Sequence, residues 1–99
     1  MNKKLRNTTT DFLFNAILKL ESLEECYDFF EDVCTYVEIN AMAQRLNAAT
    51  LLNKGLTYEQ VMNQTDISSA TLSRVSKSIK YGEGYKNLFK KLSQEEKEE

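Results

Sequence analysis

Between Ser68 and Lys80 the chain carries a run of hydroxyl groups and cations on small neighbours: Ser68, Ser69, Ala70, Thr71, Ser73, Arg74, Lys77 and Lys80. The chemistry open to this set is hydrogen bonding, not bond making. Serine and threonine hydroxyls exchange hydrogen bonds with base edges or phosphates, and an arginine pairs bidentately with guanine. Lysines meet phosphates as point charges. Small residues at a helix start let the backbone come close to a base, and free N–H groups there can hold a phosphate oxygen. A reaction centre has no comparable material. The chain has no histidine and only two cysteines, Cys26 and Cys34, and no nucleophile stands beside a base. A structural zinc site takes about four ligands, so the two thiols read as reduced, half-buried side chains. The expectation is a protein that is not an enzyme and holds no metal.

Such a set works only if a helix presents it and a second helix fixes that helix at a steep angle. The stretch LTYEQVMNQTDISSATLSRVSKSIKYG, Leu56 to Gly82, supplies both. Thr57 with Gln60 fits a capping box ahead of a helix from Tyr58 to about Thr65. Asp66 and Ile67 form the turn, and Ser68 caps a helix from Ser69 to about Tyr81. Val61 faces in from the first helix, Ile67 plugs the turn, and Leu72 and Val75, three apart, anchor the second. The spacing predicts a helix-turn-helix over about residues 57–81. Glu59 and Gln60 could touch backbone or a base edge, though phosphate would repel Glu59 and Gln60 has its cap to complete.

The rest of the chain reads as helices too. It has no proline and three glycines. Thr10 is the expected cap of a first helix to Leu20, and Ser22 with Glu25 starts a second. Thr35 with Glu38 starts a longer one to about Asn53, stopped by Gly55. Its apolar set, from Val37 and Ile39 through Met42 and Leu46 to Leu52, covers more than one face. A chain of 99 residues has little with which to cover such a helix, which points to a dimer. Tyr85 to Leu92 forms a last amphipathic helix. Ser93 to Glu99 has no apolar residue and is expected to be a disordered acidic tail, leaving residues 1–92 as a single domain. The fold class is therefore all-α, with about six helices.

The net charge of −2 does not exclude a polyanionic partner, because the charges are segregated. From Glu21 to Glu38 every charged residue is acidic, whereas from Ser68 to Leu92 Glu83 alone opposes six cations. Lys3, Lys4 and Arg6 are either an arm toward a nucleic acid or a solvated terminus. No apolar run approaches the ~20 residues of a membrane span. The amino terminus has no signal-peptide pattern. The expected location is the cytoplasm, with no membrane partner.

From about Asn40 to Leu92 the chain resembles the tryptophan-repressor family, in its branch of repressor-like proteins without an assigned ligand. The segments AMAQRLNAATLLNKGLTYEQV and SSATLSRVSKSIKYG carry the resemblance, together with the helix order. The amino-terminal half matches in helix pattern only. The resemblance implies six helices per chain and an intertwined homodimer built from the amino-terminal helices. Two reader helices would then face successive major grooves of double-stranded DNA, about 34 Å apart. The implied function is sequence-specific transcriptional regulation, as a repressor. A protein-interaction module, docking a protein through the same hairpin, is the alternative; the acidic stretch keeps it open. Salt-dependent duplex binding separates the two.

The family's ligand, tryptophan, binds beside the reader helix between two arginines. Arg74 matches the one on the reader helix. Arg45 matches the one on the long helix once a gap near Gly55 is allowed, though a salt bridge would explain it equally. Ser78 matches the serine that helps hold the ligand. Val75 departs: the tryptophan repressor itself has glycine there. A branched side chain fills the space the ligand would use. The expectation is that tryptophan binds weakly or not at all, so that no cofactor is required, and that Val75 supplies part of what the corepressor supplies elsewhere. Asp66 also departs from the glycine common at this turn, and aspartate tolerates left-handed backbone better than most residues.

Overall fold

The computed structural model describes residues 4–98, so Lys3 and Glu99, named above for the arm and the tail, lie outside the described residues. Among the described residues the chain has six helices and no strand. They are α1 (Thr8–Ile17), α2 (Leu23–Val33), α3 (Tyr36–Asn53), α4 (Tyr58–Gln64), α5 (Ser69–Tyr81) and α6 (Gly84–Glu98). The chain divides into two compact units, Met1–Ile39 and Asn40–Glu99. The sequence marks no boundary at Ile39, because α3 passes through it without a break and no linker composition interrupts it.

In the first unit α1 starts earlier than its apolar pattern indicates. Asn7, not Thr10, is the cap: its Oδ1 accepts a hydrogen bond from the Thr10 amide at 2.8 Å. Asparagine caps at least as well as threonine, and the earlier start adds helical hydrogen bonds. The helix also ends before Leu20. The amides of Lys19 and Leu20 donate to the carbonyls of Ala16 and Ile17, each at 3.0 Å, the tight three-residue closure common at helix ends. Ser22 caps α2 as the sequence indicates. Its Oγ accepts from the Glu25 amide at 3.1 Å, while Glu25 Oε2 accepts from the Glu21 amide at 3.1 Å. No residue of α1 or α2 is buried.

The start of α3 is a reciprocal cap. The Thr35 amide donates to Glu38 Oε1 at 2.8 Å and the Glu38 amide donates to Thr35 Oγ1 at 3.1 Å. Hydrogen bonds from the Thr35 amide and then its side chain hold the Glu38 carboxyl below its usual range.

The second unit contains the core. Gly55, at φ 98°, ends α3 with two reversed hydrogen bonds. Its own amide donates to the Leu52 carbonyl at 3.0 Å, and the Leu56 amide donates to the Leu51 carbonyl at 3.2 Å. This is the glycine-terminated cap that turns a chain sharply at a helix end. The turn sends α4 back toward α3. Ala48, Val61 and Leu72 meet there, from α3, α4 and α5, with Leu51, Leu52, Leu56 and Ile67 packed around them. Alanine at position 48 lets the helices approach closely. Ala49 and Val75 are also buried.

α6 runs to Glu98, so residues 93–98, expected to be disordered, are helical. The apolar pattern ends at Leu92, but it marks where a helix packs, not where it stops. Glutamine, glutamate and lysine are good helix formers, and no glycine or proline follows Leu92 to end the helix. Tyr85 and Phe89, one turn apart, stack with ring centroids 6.0 Å apart. No helix among the described residues is long and apolar enough to cross a membrane.

Candidate nucleic-acid interface

α4 and α5 form the helix-turn-helix at the boundaries the caps indicate. Thr57 and Gln60 bond reciprocally: the Thr57 amide donates to Gln60 Oε1 at 2.8 Å and the Gln60 amide donates to Thr57 Oγ1 at 3.2 Å. Gln60 is therefore committed to its cap. Thr65, which carries no signal in the sequence pattern, staples the turn. Its hydroxyl donates to the Val61 carbonyl at 2.8 Å and accepts from the Ile67 amide at 3.4 Å. No described non-glycine residue has a positive φ. Asp66 therefore turns the chain without left-handed backbone, and its tolerance of that geometry is not needed.

Ser68 caps α5, accepting from the Thr71 amide at 3.2 Å and donating to Thr71 Oγ1 at 3.1 Å. This bond divides the polar set predicted from sequence. The Ser68 and Thr71 hydroxyls serve the helix start, and Thr71 is half-buried. Ser69, Ala70, Arg74, Lys77 and Lys80 are exposed, with Ser73 half-buried at their margin. At 3.6 residues per turn, Leu72, Val75 and Ile79 make one inward stripe, and Ala70, Arg74, Lys77 and Tyr81 lie opposite. No acidic residue interrupts Ser69–Tyr81. The geometry presents a rigid, cationic, small-residue face along three turns of helix.

Tyr81 belongs to this face and is not among the residues that sequence alone singles out. It is 77% exposed, and the Lys80 ammonium lies 5.7 Å from its ring centroid. Its spacing from Arg74 and Lys77 (i+7 and i+4) is the signal that places it there. Lys86 plays a different part. Its Nζ donates to the Lys80 carbonyl at 2.9 Å, placing a cation at the end of α5, where carbonyls lack helical partners. Among the described residues no group of three or more histidine, cysteine or acidic side chains could hold a metal. Cys26 and Cys34 are free and half-buried.

Residues 8–93 match the family model described as Trp repressor protein. The chain belongs to the Trp repressor family. It is 45% identical over 96 residues to the uncharacterized protein YerC of Bacillus subtilis (strain 168), covering 96% of this chain and 92% of that one. The crystal structure of a TrpR-like protein from Eubacterium eligens ATCC 27750 aligns with a TM-score of 0.89 at 45% identity. The alignment covers 93% of this chain and 96% of that one. A Trp repressor candidate from Staphylococcus aureus aligns with a TM-score of 0.87 at 41% identity, over 92% of each chain.

The Trp repressor family's name directs attention to the flank of α5 that holds Arg74, Val75 and Ser78. Arg74 and Ser78, one turn apart, are exposed, as is Arg45 on α3. Val75 between them is 2% exposed. Ser78 lines a groove with Gly82, Gly84, Tyr85 and Leu88. Two further grooves beside α6 share Asn53, Ile79 and Lys86. Neither Arg74 nor Val75 stands in the wall of any of these three.

Proposed function

We propose that this chain is a sequence-specific DNA-binding transcriptional regulator, a repressor that works as a homodimer and reads the major groove with α5. One observation carries the reading: the outward stripe of α5, with Arg74 and Lys77 at its centre, is backed by the buried Leu72 and Val75. A helix docked so firmly on one side and so free on the other can enter a groove without losing its own packing. Ser69 and Ala70 let its first turn approach the bases, Arg74 is placed to pair with a guanine, and Lys77 and Lys80 meet phosphates. Membership of the Trp repressor family supports the same reading.

The dimer is supported by what the chain leaves uncovered. No residue of α1 or α2 is fully buried, and Phe12, Leu18 and Val37 are 76%, 79% and 73% exposed. A second copy of the chain is the simplest cover for faces so apolar. A two-fold pair then sets two α5 helices against successive major grooves, about 34 Å apart.

Selection from random duplexes at near-physiological salt, with no added ligand, tests the reading. A dimeric regulator enriches a two-fold symmetric site and binds it more weakly as salt rises. Absence of any salt-dependent duplex binding would sink this function and leave the hairpin as a protein-docking module.

A further inference from the structure

Membership of the Trp repressor family implies tryptophan, held beside α5 between two arginines. The residues that would clasp it are present: Arg74 and Ser78 on one flank of α5, and Arg45 on α3. The space is not. Val75, the residue after Arg74, is 2% exposed, so its branched side chain is already enclosed by protein. Interiors pack at crystal-like density, so the volume the Val75 side chain fills cannot also hold an indole ring. Valine in a helix also holds one strongly preferred rotamer, so it cannot swing aside as a longer chain could. The residues here do not fit the ligand.

We propose that Val75 closes the tryptophan site of this chain and itself holds α5 in its reading pose, so that duplex binding needs no tryptophan. The second half rests on the DNA-reading function above. With glycine at this position, α5 would carry a notch on its inner flank, and a ligand would complete its packing. With valine, the inward stripe of Leu72, Val75 and Ile79 is continuous, and Leu72 is locked in the core with Val61 and Ala48. The tilt of α5 is then set by the chain and not by a metabolite.

Two measurements on the full chain test the two halves separately. The first is calorimetric titration of tryptophan into the protein without DNA. Wild type is expected to show no binding at millimolar tryptophan, and Val75→Gly to gain it by at least about tenfold in affinity. Micromolar binding to wild type overturns the proposal. So does a Val75→Gly variant that keeps its helical circular dichroism yet binds no better than wild type. If Val75→Gly does not fold, Val75→Ala carries the test by the same criterion, since alanine restores helix propensity while still removing the branch. The second measurement repeats the duplex selection with and without millimolar tryptophan. Equal enrichment, within about twofold, supports the proposal. Enrichment only with tryptophan overturns it while upholding DNA reading. Failure to enrich under both conditions strikes the DNA function instead and leaves the titration to decide whether the site is closed.

Discussion

Arg74 and Lys77 stand about 4.5 Å of helix rise apart, yet their removal should look different. Arg74 can make two hydrogen bonds to one guanine, so Arg74→Ala should relax base preference at one position of each half-site. The expected cost is about 1–3 kcal/mol against the preferred base and little against others. Lys77 offers a point charge to phosphate. Lys77→Ala should weaken all duplexes alike and lower the slope of log affinity against log salt by about 0.9 for each phosphate no longer neutralised. Repeating the selection and the salt titration on both variants checks this; a shared pattern of weakening would refute the division. Glu38 belongs to this scale as well. Its carboxylate accepts from the Thr35 amide, which lowers its folded pKa below the ordinary glutamate value. The ionised form is thus favoured by folding. The stabilisation it gives is full above the unfolded value and is lost as pH falls through the lower, folded one. An NMR titration of the Glu38 side chain should show a midpoint below that of a free glutamate, and Thr35→Ala should move it upward. Bonds of this kind are partly legible in the sequence, because each polar residue type fixes what it can donate or accept. The division of labour is not: the Ser68–Thr71 bond that withdraws two hydroxyls from the outer face is a matter of rotamers.

At the scale of elements, the N-caps are the most legible feature. Ser22 with Glu25, Thr35 with Glu38, Thr57 with Gln60, and Ser68 all begin helices where their spacing places them. A cap is local, so four residues contain the whole of its physics. The helix ends that differ from expectation are those that composition governs: Asn7 outcompetes Thr10, and α6 runs on because nothing stops it. The three glycines separate two causes of strain and should give three different results in thermal melts. Gly55 has open space around it but a φ of 98°, so Gly55→Ala meets only backbone strain, about 1–2 kcal/mol, and lowers Tm. Gly82 has an ordinary φ, but an added Cβ would stand 2.7 Å from the Ser78 carbonyl oxygen. That oxygen already accepts the Gly82 amide at 2.9 Å as the last bond of α5. Gly82→Ala should therefore lower Tm by displacing the junction of α5 and α6. Gly84 is free of both constraints and begins α6, so Gly84→Ala should raise Tm slightly, by reducing the freedom of the unfolded chain. Equal effects at all three positions would show that the backbone reasoning is wrong.

For the molecule as a whole, the decisive fact is how little one copy buries. Among the described residues the buried hydrophobic set is Ala48, Ala49, Val61, Leu72 and Val75, all from the second unit. Two of the five are alanines, and α1 and α2 contribute none. Helices of ten or eleven residues are marginal in water when no face of theirs is packed. The proposed dimer would cover their apolar faces and those of α3, where Met42 and Leu46 are each 42% exposed. The breadth of the α3 apolar set signals this surplus in the sequence, but not its partner, because a one-chain pattern records only that a face must be covered. If two copies supply the cover, the amino-terminal helices and the dimer should melt together. Tm should then rise with protein concentration, as mass action requires of a folded state that exists only in pairs. Phe12→Glu or Val37→Glu, each placing a charge on an exposed apolar face of a single copy, should shift the mass in light scattering toward the monomer. The same variants should reduce the far-ultraviolet helical signal, since helices without their cover unfold. A monomeric mass for the unaltered protein, with a Tm independent of concentration, would mean instead that α1 and α2 hold their structure alone, and the two-fold symmetric site expected on DNA would lose its basis.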